Sequence, residues 1–153
     1  MAAMFVFDTS YDPMHLQVIP GHFTFAEADA HFSEVERYYT RESASNAPAA
    51  LLADVRALSA ADARSRKRVA DAFLRLSPVM ERRAVGHAIV MSSPLIRGAL
   101  TAIFWIKQPS WQIRTFAEIT EADAWLRRMF EEQGRATPSA PPHWWEGAAW
   151  RSG

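Results

Sequence analysis

Five histidines are the first residues in this chain able to carry chemistry, because it contains no cysteine. Without thiols there are no disulfides, no thiolate nucleophile and no cysteine-based zinc or iron–sulfur site. His15, His22, His31, His87 and His143 never take the H-E-x-x-H spacing that sets two ligands one helical turn apart. His15, Asp54 and His87 fall on three strand-like segments and could meet on one sheet face as a metal or general-base site. A solvated polar sheet face is the simpler expectation.

Ser92 and Ser93 stand where a strand-like run ends and a helix begins, with Arg97 one turn further on. Free backbone N–H groups, the helix dipole and a guanidinium would together tolerate a phosphate or carboxylate. Ser92, Ser93 and Arg97 are therefore a candidate anion site, with helix capping as the plainer role. "VMSSP" lacks the glycines of a G-x-S-x-G elbow, so Ser92 is not set up as a nucleophile. No catalytic residue, metal site or cofactor is expected. "RSRKR" (64–68) holds four cations in five residues. A helix spreads these around more than half its circumference, which makes them a solvated face. Seventeen basic residues balance seventeen acidic ones, and a nucleic-acid partner usually demands a basic excess.

The elements that position these groups follow from periodicity. "MFVF" (4–7) and "MHLQVI" (14–19) flank the turn-rich "DTSYDP" and form a hairpin. Thr24-Phe25-Ala26-Glu27 is a capping box, and Phe25, Ala28, Phe32, Val35 and Tyr39 follow at helical steps to about residue 42. "ALLADV" (50–55) is a strand. The Ser59–Asp62 signature then opens a helix burying Val69, Phe73, Leu76 and Met80 while exposing Arg64, Arg66, Lys67 and Arg68. "HAIVM" (87–91) is a strand, 94–107 a helix and "WQIRTF" (111–116) a strand. A last helix after Thr120 turns Trp125, Leu126, Met129 and Phe130 inward.

The order β-β-α-β-α-β-α-β-α, with short connections, predicts an α/β domain built on one mixed, mainly parallel five-stranded sheet. Alternate residues on three strands are polar: His15 and Gln17, Asp54 and Arg56, Gln112 and Arg114. That alternation predicts helices mainly on one face and a second face partly open. The domain is expected over residues 1–133. The Pro- and Trp-rich stretch 134–153 has no periodicity and reads as a tail, so truncation after Gly134 should leave a cooperatively folding protein. Trp144, Trp145 and Trp150 either dock back on the domain or bind another protein, because exposed indoles are a liability.

"MSSPLIRGALTAIFWIK" (91–107) is nearly all apolar between Arg97 and Lys107. A helix over 94–106 is about 20 Å long, too short for a hydrocarbon core about 30 Å thick. No transmembrane segment and no secretory signal are expected. On a helical wheel, Leu95, Ala99, Ala102, Ile103 and Ile106 form the sheet-facing side. Arg97, Thr101 and Phe104 lie opposite, flanked by Leu100 and Trp105. That second side is the expected interaction surface, and Phe104→Ser should then cost little stability.

The element order, "HAIVMSSPLIRGALTAIFWI" and the closing "RTFAEITEADAWL" resemble the SpoIIAA-like branch of the STAS superfamily, which shares its fold with CRAL-TRIO lipid-binding domains. The likeness runs from about residue 4 to 131 and includes Phe116, Glu121, Ala122, Trp125 and Leu126. It implies a binding module rather than an enzyme. STAS domains of the anti-anti-sigma type are switched by phosphorylation of a Ser in an Asp-Ser pair where the third strand enters its helix. Here that junction reads "DVRALSAADARSRKR", without such a pair. Ser59 and Ser65 do not match the motif, so the switch is not carried over.

The sequence thus predicts a cytoplasmic, non-enzymatic regulatory or protein-interaction domain with a protein partner or a second copy of itself. Its surface would be Leu100, Thr101, Phe104, Trp105, Trp144, Trp145 and Trp150. The alternative is a binder of an apolar or amphipathic, lipid-like small molecule beside helix 94–107. A closed apolar pocket there would favour the ligand; exposed Phe104 and Trp residues would favour the partner.

Overall fold

The computed structural model describes residues 4–41, 45–106 and 108–147. Strands β1 (Val6–Tyr11) and β2 (Met14–Val18) form the hairpin, followed by α1 (Phe25–Arg41), β3 (Ala49–Asp54) and α2 (Ala63–Arg83). Then come β4 (Ala84–Val90), α3 (Pro94–Ile106), β5 (Ile113–Phe116) and α4 (Ile119–Glu132). The capping box is in place: Glu27 N–H donates to Thr24 Oγ1 and Thr24 N–H to Glu27 Oε1, both at 3.1 Å. At α2 the cap is Asp62, whose Oδ1 accepts from Ser65 N–H at 2.7 Å.

The five strands lie in sequence order, β1-β2 antiparallel and the other three pairings parallel. When successive crossovers step the same way and share one hand, their helices must share one face. Accordingly α1, α2 and α3 cover one side of the sheet, with Phe32, Ala72 and Ile96 in one buried cluster and Val35, Tyr39, Val79 and Met80 in another. After the edge strand β5 the chain folds beneath. Leu126 and Phe130 of α4 pack with Leu16, Leu52, Ala88 and Val90 on the opposite side. At Gly86 a Cβ would lie 3.1 to 3.2 Å from Leu126 and Trp125, so α4 sits close against β4.

The face expected to be partly open is therefore covered, and the polar strand residues are split between the two sides. His15 and Gln17 lie beneath the helices, 0% and 8% exposed. Asp54 belongs to the α4 side, by alternation from Leu52, and is held by a bidentate pair with Arg56 at 2.9 Å.

Two other expectations are corrected by packing. Arg68, assigned to the solvated face, is 7% exposed and donates to Asp29 and Glu36 of α1, both at 2.7 Å. It ties α2 to α1, whereas Arg66 and Lys67 remain exposed. The segment placed beyond the domain also supplies core. Ala140 and Trp144 join the α4-side cluster, 5% and 2% exposed. Trp144 Nε1–H donates to Asp123 Oδ1 at 2.9 Å, and Arg127 donates to the Ala140 carbonyl at 2.8 Å. The compact unit extends to at least Trp144.

Candidate functional site

The helix α3 is apolar nearly all round, so no polar stripe fixes its phase. In the structure Ile96, Ala99, Leu100 and Ile103 face inward. Leu95, expected to face the sheet, is 65% exposed, and Ala102 is exposed as well. The true inner side is rotated from the expected one by about two thirds of one residue's 100° step, which moves Leu100 inside.

Under this inner side lies a cavity of about 110 Å³. The sheet contributes Ala53 and Ile89 to its floor, α1 contributes Phe32, and α2 contributes Val69 and Phe73. Its walls are almost wholly apolar, with Gln17 and His87 among the few polar groups. A second cavity of about 50 Å³ shares Gln17, Phe32, Val69, Phe73 and His87 and continues to Tyr39 and Trp111.

Several polar side chains lie between the sheet and the helix layer. Tyr39 Oη bonds His15 Nδ1 at 2.7 Å, and His15 Nε2 bonds Asp12 Oδ1 at 2.6 Å. Burial raises the Tyr39 phenol well above its ordinary pKa, so Tyr39 donates to Nδ1, and the tautomer with a proton on Nε2 satisfies both bonds. The bond from His15 holds the Asp12 carboxyl below its usual range. A phenol with a raised pKa stays protonated and supplies no phenolate near neutral pH, so this relay orients Tyr39 and ties the hairpin to α1. His31 Nε2 meets Gln17 Nε2 at 2.9 Å, and burial pushes the imidazoles of His31 and His87 down to about 4. His15 and His87 share the helix-covered face with Leu51 between them in register. That places them roughly 10 Å apart, while Asp54 lies on the other side; the three do not converge.

Each group of the candidate anion site already has a partner. Ser92 Oγ donates to the Arg56 carbonyl (3.2 Å) and Ser93 Oγ to the Ser59 carbonyl (3.3 Å). The Ile96 N–H reaches Ser93 Oγ at 3.4 Å, and Arg97 donates to Thr115 Oγ1 at 3.2 Å. These contacts cap α3 and pin the β3–α2 connection to it. Ser59 is exposed, while Ser65 is buried in the first turn of α2.

The expected interaction residues divide as well. Trp105 is 85% exposed and Thr101 is exposed; with Phe104 they line an open groove against residues 108–113. Phe104 is half-buried, edge-on to Phe73 with ring centroids 5.6 Å apart. Phe104→Ser is therefore expected to cost about 1–3 kcal/mol, of which the aromatic pair alone is about 0.5–1.5. A urea midpoint equal to wild type would return Phe104 to the surface set. Trp144 is core, and Trp145 is partly buried against the same cluster. Trp150 and Lys107 lie outside the described residues.

Sequence reading placed Tyr39 on the inner side of α1 but missed its bond to His15, the inward place of Ile96 and Trp111, and the inward role of Gln17 and His87. One signal was present: Asp29, Ser33 and Glu36 form a polar stripe at helical spacing on α1, and it is this stripe that meets Arg68. Among the described residues no three His, Asp or Glu side chains gather as a metal site, and no helix is long and apolar enough to cross a membrane.

No family model matches the chain, and no curated protein matches it. Among solved structures, it is similar to the crystal structure of an uncharacterized protein of the DUF3478 family with a SpoIIAA-like fold, from Shewanella loihica PV-4. The TM-score is 0.55 at 14% identity, covering 80% of this chain and 91% of that one. The likeness shows the fold: the mixed five-stranded sheet with its four helices is SpoIIAA-like.

Proposed function

We propose that this SpoIIAA-like domain is a non-enzymatic binding module that takes a small, mainly apolar molecule between its sheet and α3. The observation that supports the reading is the 110 Å³ apolar cavity under Ile96, Ala99, Leu100 and Ile103. A well-packed interior has few voids larger than a water, and leaving one this size unfilled is unfavourable. Size limits the ligand. An apolar cavity of about 150 Å³ holds one benzene, while drug-sized ligands need about 300 Å³ or more. The 110 Å³ space falls short of the benzene-sized volume by itself, but with the 50 Å³ space that shares its walls it takes one ring or the end of a chain; a whole acyl lipid would have to displace α3.

Toluene at about ten times its Kd should stabilise the protein by about 1.4 kcal/mol, a rise of roughly 3–5 °C in Tm for a chain of this length. Ala99→Leu, which fills the space from α3, should abolish the rise. Equal shifts in both proteins would place the probe elsewhere, and no shift in wild type would refute the reading.

A second reading, protein interaction, is supported by the outer side of the same helix. Leu95 and Trp105 are large apolar side chains left 65% and 85% exposed, and such residues favour association. A helix with the cavity beneath it and this surface above it would transmit ligand occupancy to a partner or to a second copy of the chain.

A further inference from the structure

Trp111 and His87 each hold a buried nitrogen, Nε1 and Nδ1, with no hydrogen-bond partner among the described residues. Both residues are more than nine-tenths buried, both line the smaller cavity, and both rings lie nearly parallel to Phe73, Trp111 at 6.4 Å and His87 at 6.0 Å. A buried polar group left unpaired carries a desolvation cost larger than the net gain of an ordinary hydrogen bond. The two side chains border one small cavity, and neither nitrogen is open to water. A turn of either ring toward that space would let an entering oxygen pair it, which constitutes a chemical preference.

Resting on the ligand-binding reading above, the geometry points to a neutral, oxygen-bearing ligand whose oxygen accepts the Trp111 indole N–H beside His87, with its apolar body under α3. The indole only donates, so the ligand must offer an acceptor. The imidazole Nδ1 donates or accepts according to tautomer, so both a ketone or ester carbonyl and a hydroxyl suit it. A carboxylate does not. No Lys, Arg, Asp or Glu lines the smaller cavity, and an uncompensated buried charge is far costlier than a neutral dipole. The shared walls at Gln17, Val69 and Phe73 let one molecule span both spaces.

Cyclohexanone and methylenecyclohexane have nearly the same shape and differ in carbonyl against vinylidene. Affinities from NMR titration of the full chain should show that Trp111→Phe weakens cyclohexanone about fivefold, the scale of one net hydrogen bond, and leaves methylenecyclohexane unchanged. His87→Phe should shift the same ratio in the same direction. In wild type the Trp111 indole N–H resonance should move downfield with the ketone and not with the hydrocarbon, a readout that needs no variant. If both probes bind but neither variant nor resonance separates them, the nitrogens serve an internal water or packing and the inference is overturned. If neither probe binds, the cavity reading itself fails.

Discussion

Lowering the pH from about 6.5 to 4 is expected to remove several kcal/mol of stability from this protein. His31 and His87 are buried, 4% and 7% exposed, and burial depresses both imidazoles to about 4. In the unfolded chain each titrates near 6.5. Between those values the unfolded state binds protons that the folded state refuses, so stability is full above 6.5 and falls as the pH drops towards 4. A shift of this size is worth about 3 kcal/mol per residue, large against a total of about 5–15. The carboxyls of Asp12 and Asp62 are held below 3.8 and act at lower pH still, so the upper window belongs to the histidines. Urea midpoints at pH 7, 5.5 and 4 should fall steeply in wild type and about half as steeply in His87→Phe. Midpoints that stay level to pH 4 would mean that these imidazoles reach water.

Trp144→Ala should destabilise the chain by about 3–5 kcal/mol, the cost of a large aromatic lost from a core. Truncation after Gly134 should cost at least as much. The indole is 2% exposed, edge-on to Tyr11 and hydrogen-bonded to Asp123. Its removal leaves an acceptor in the Asp123–Arg127 pair short of a donor and opens the α4-side core. Trp145→Ala, at a partly buried position on the edge of that cluster, should cost clearly less. Denaturant midpoints of the three variants settle the ranking. If the truncated chain matches the full one, residues 134–153 are the dispensable tail that their composition suggests.

The fold was largely legible because strand and helix runs alternate at distinct hydrophobic periods, and short connections leave few topologies. Phase was harder. The helix α3 offers Leu95 and Ile96 side by side with no polar stripe to choose between them, and only packing puts Ile96 inside. His15 and Gln17 look like a solvated face because polarity alone cannot distinguish water from a buried partner. Their partners, Tyr39 and His31, lie on the inner side of α1. Arg68 was lost within a run of cations whose other members are exposed. The Trp segment has no period to read, since single side chains anchor an irregular chain. The cavity is where residues from six elements fall short of filling space, and no local pattern encodes a shortfall.

Intermolecular NOEs from bound toluene to assigned methyl groups test the central claim most directly. Cross-peaks to Ile96, Leu100 and Ile103 of α3 and to Ile89 of β4, with none to exposed Leu95, are the predicted result. Contacts confined to Leu95 and the Trp105 ring, or contacts that persist undiminished in Ala99→Leu, would contradict it and leave α3 as a surface helix with no ligand beneath.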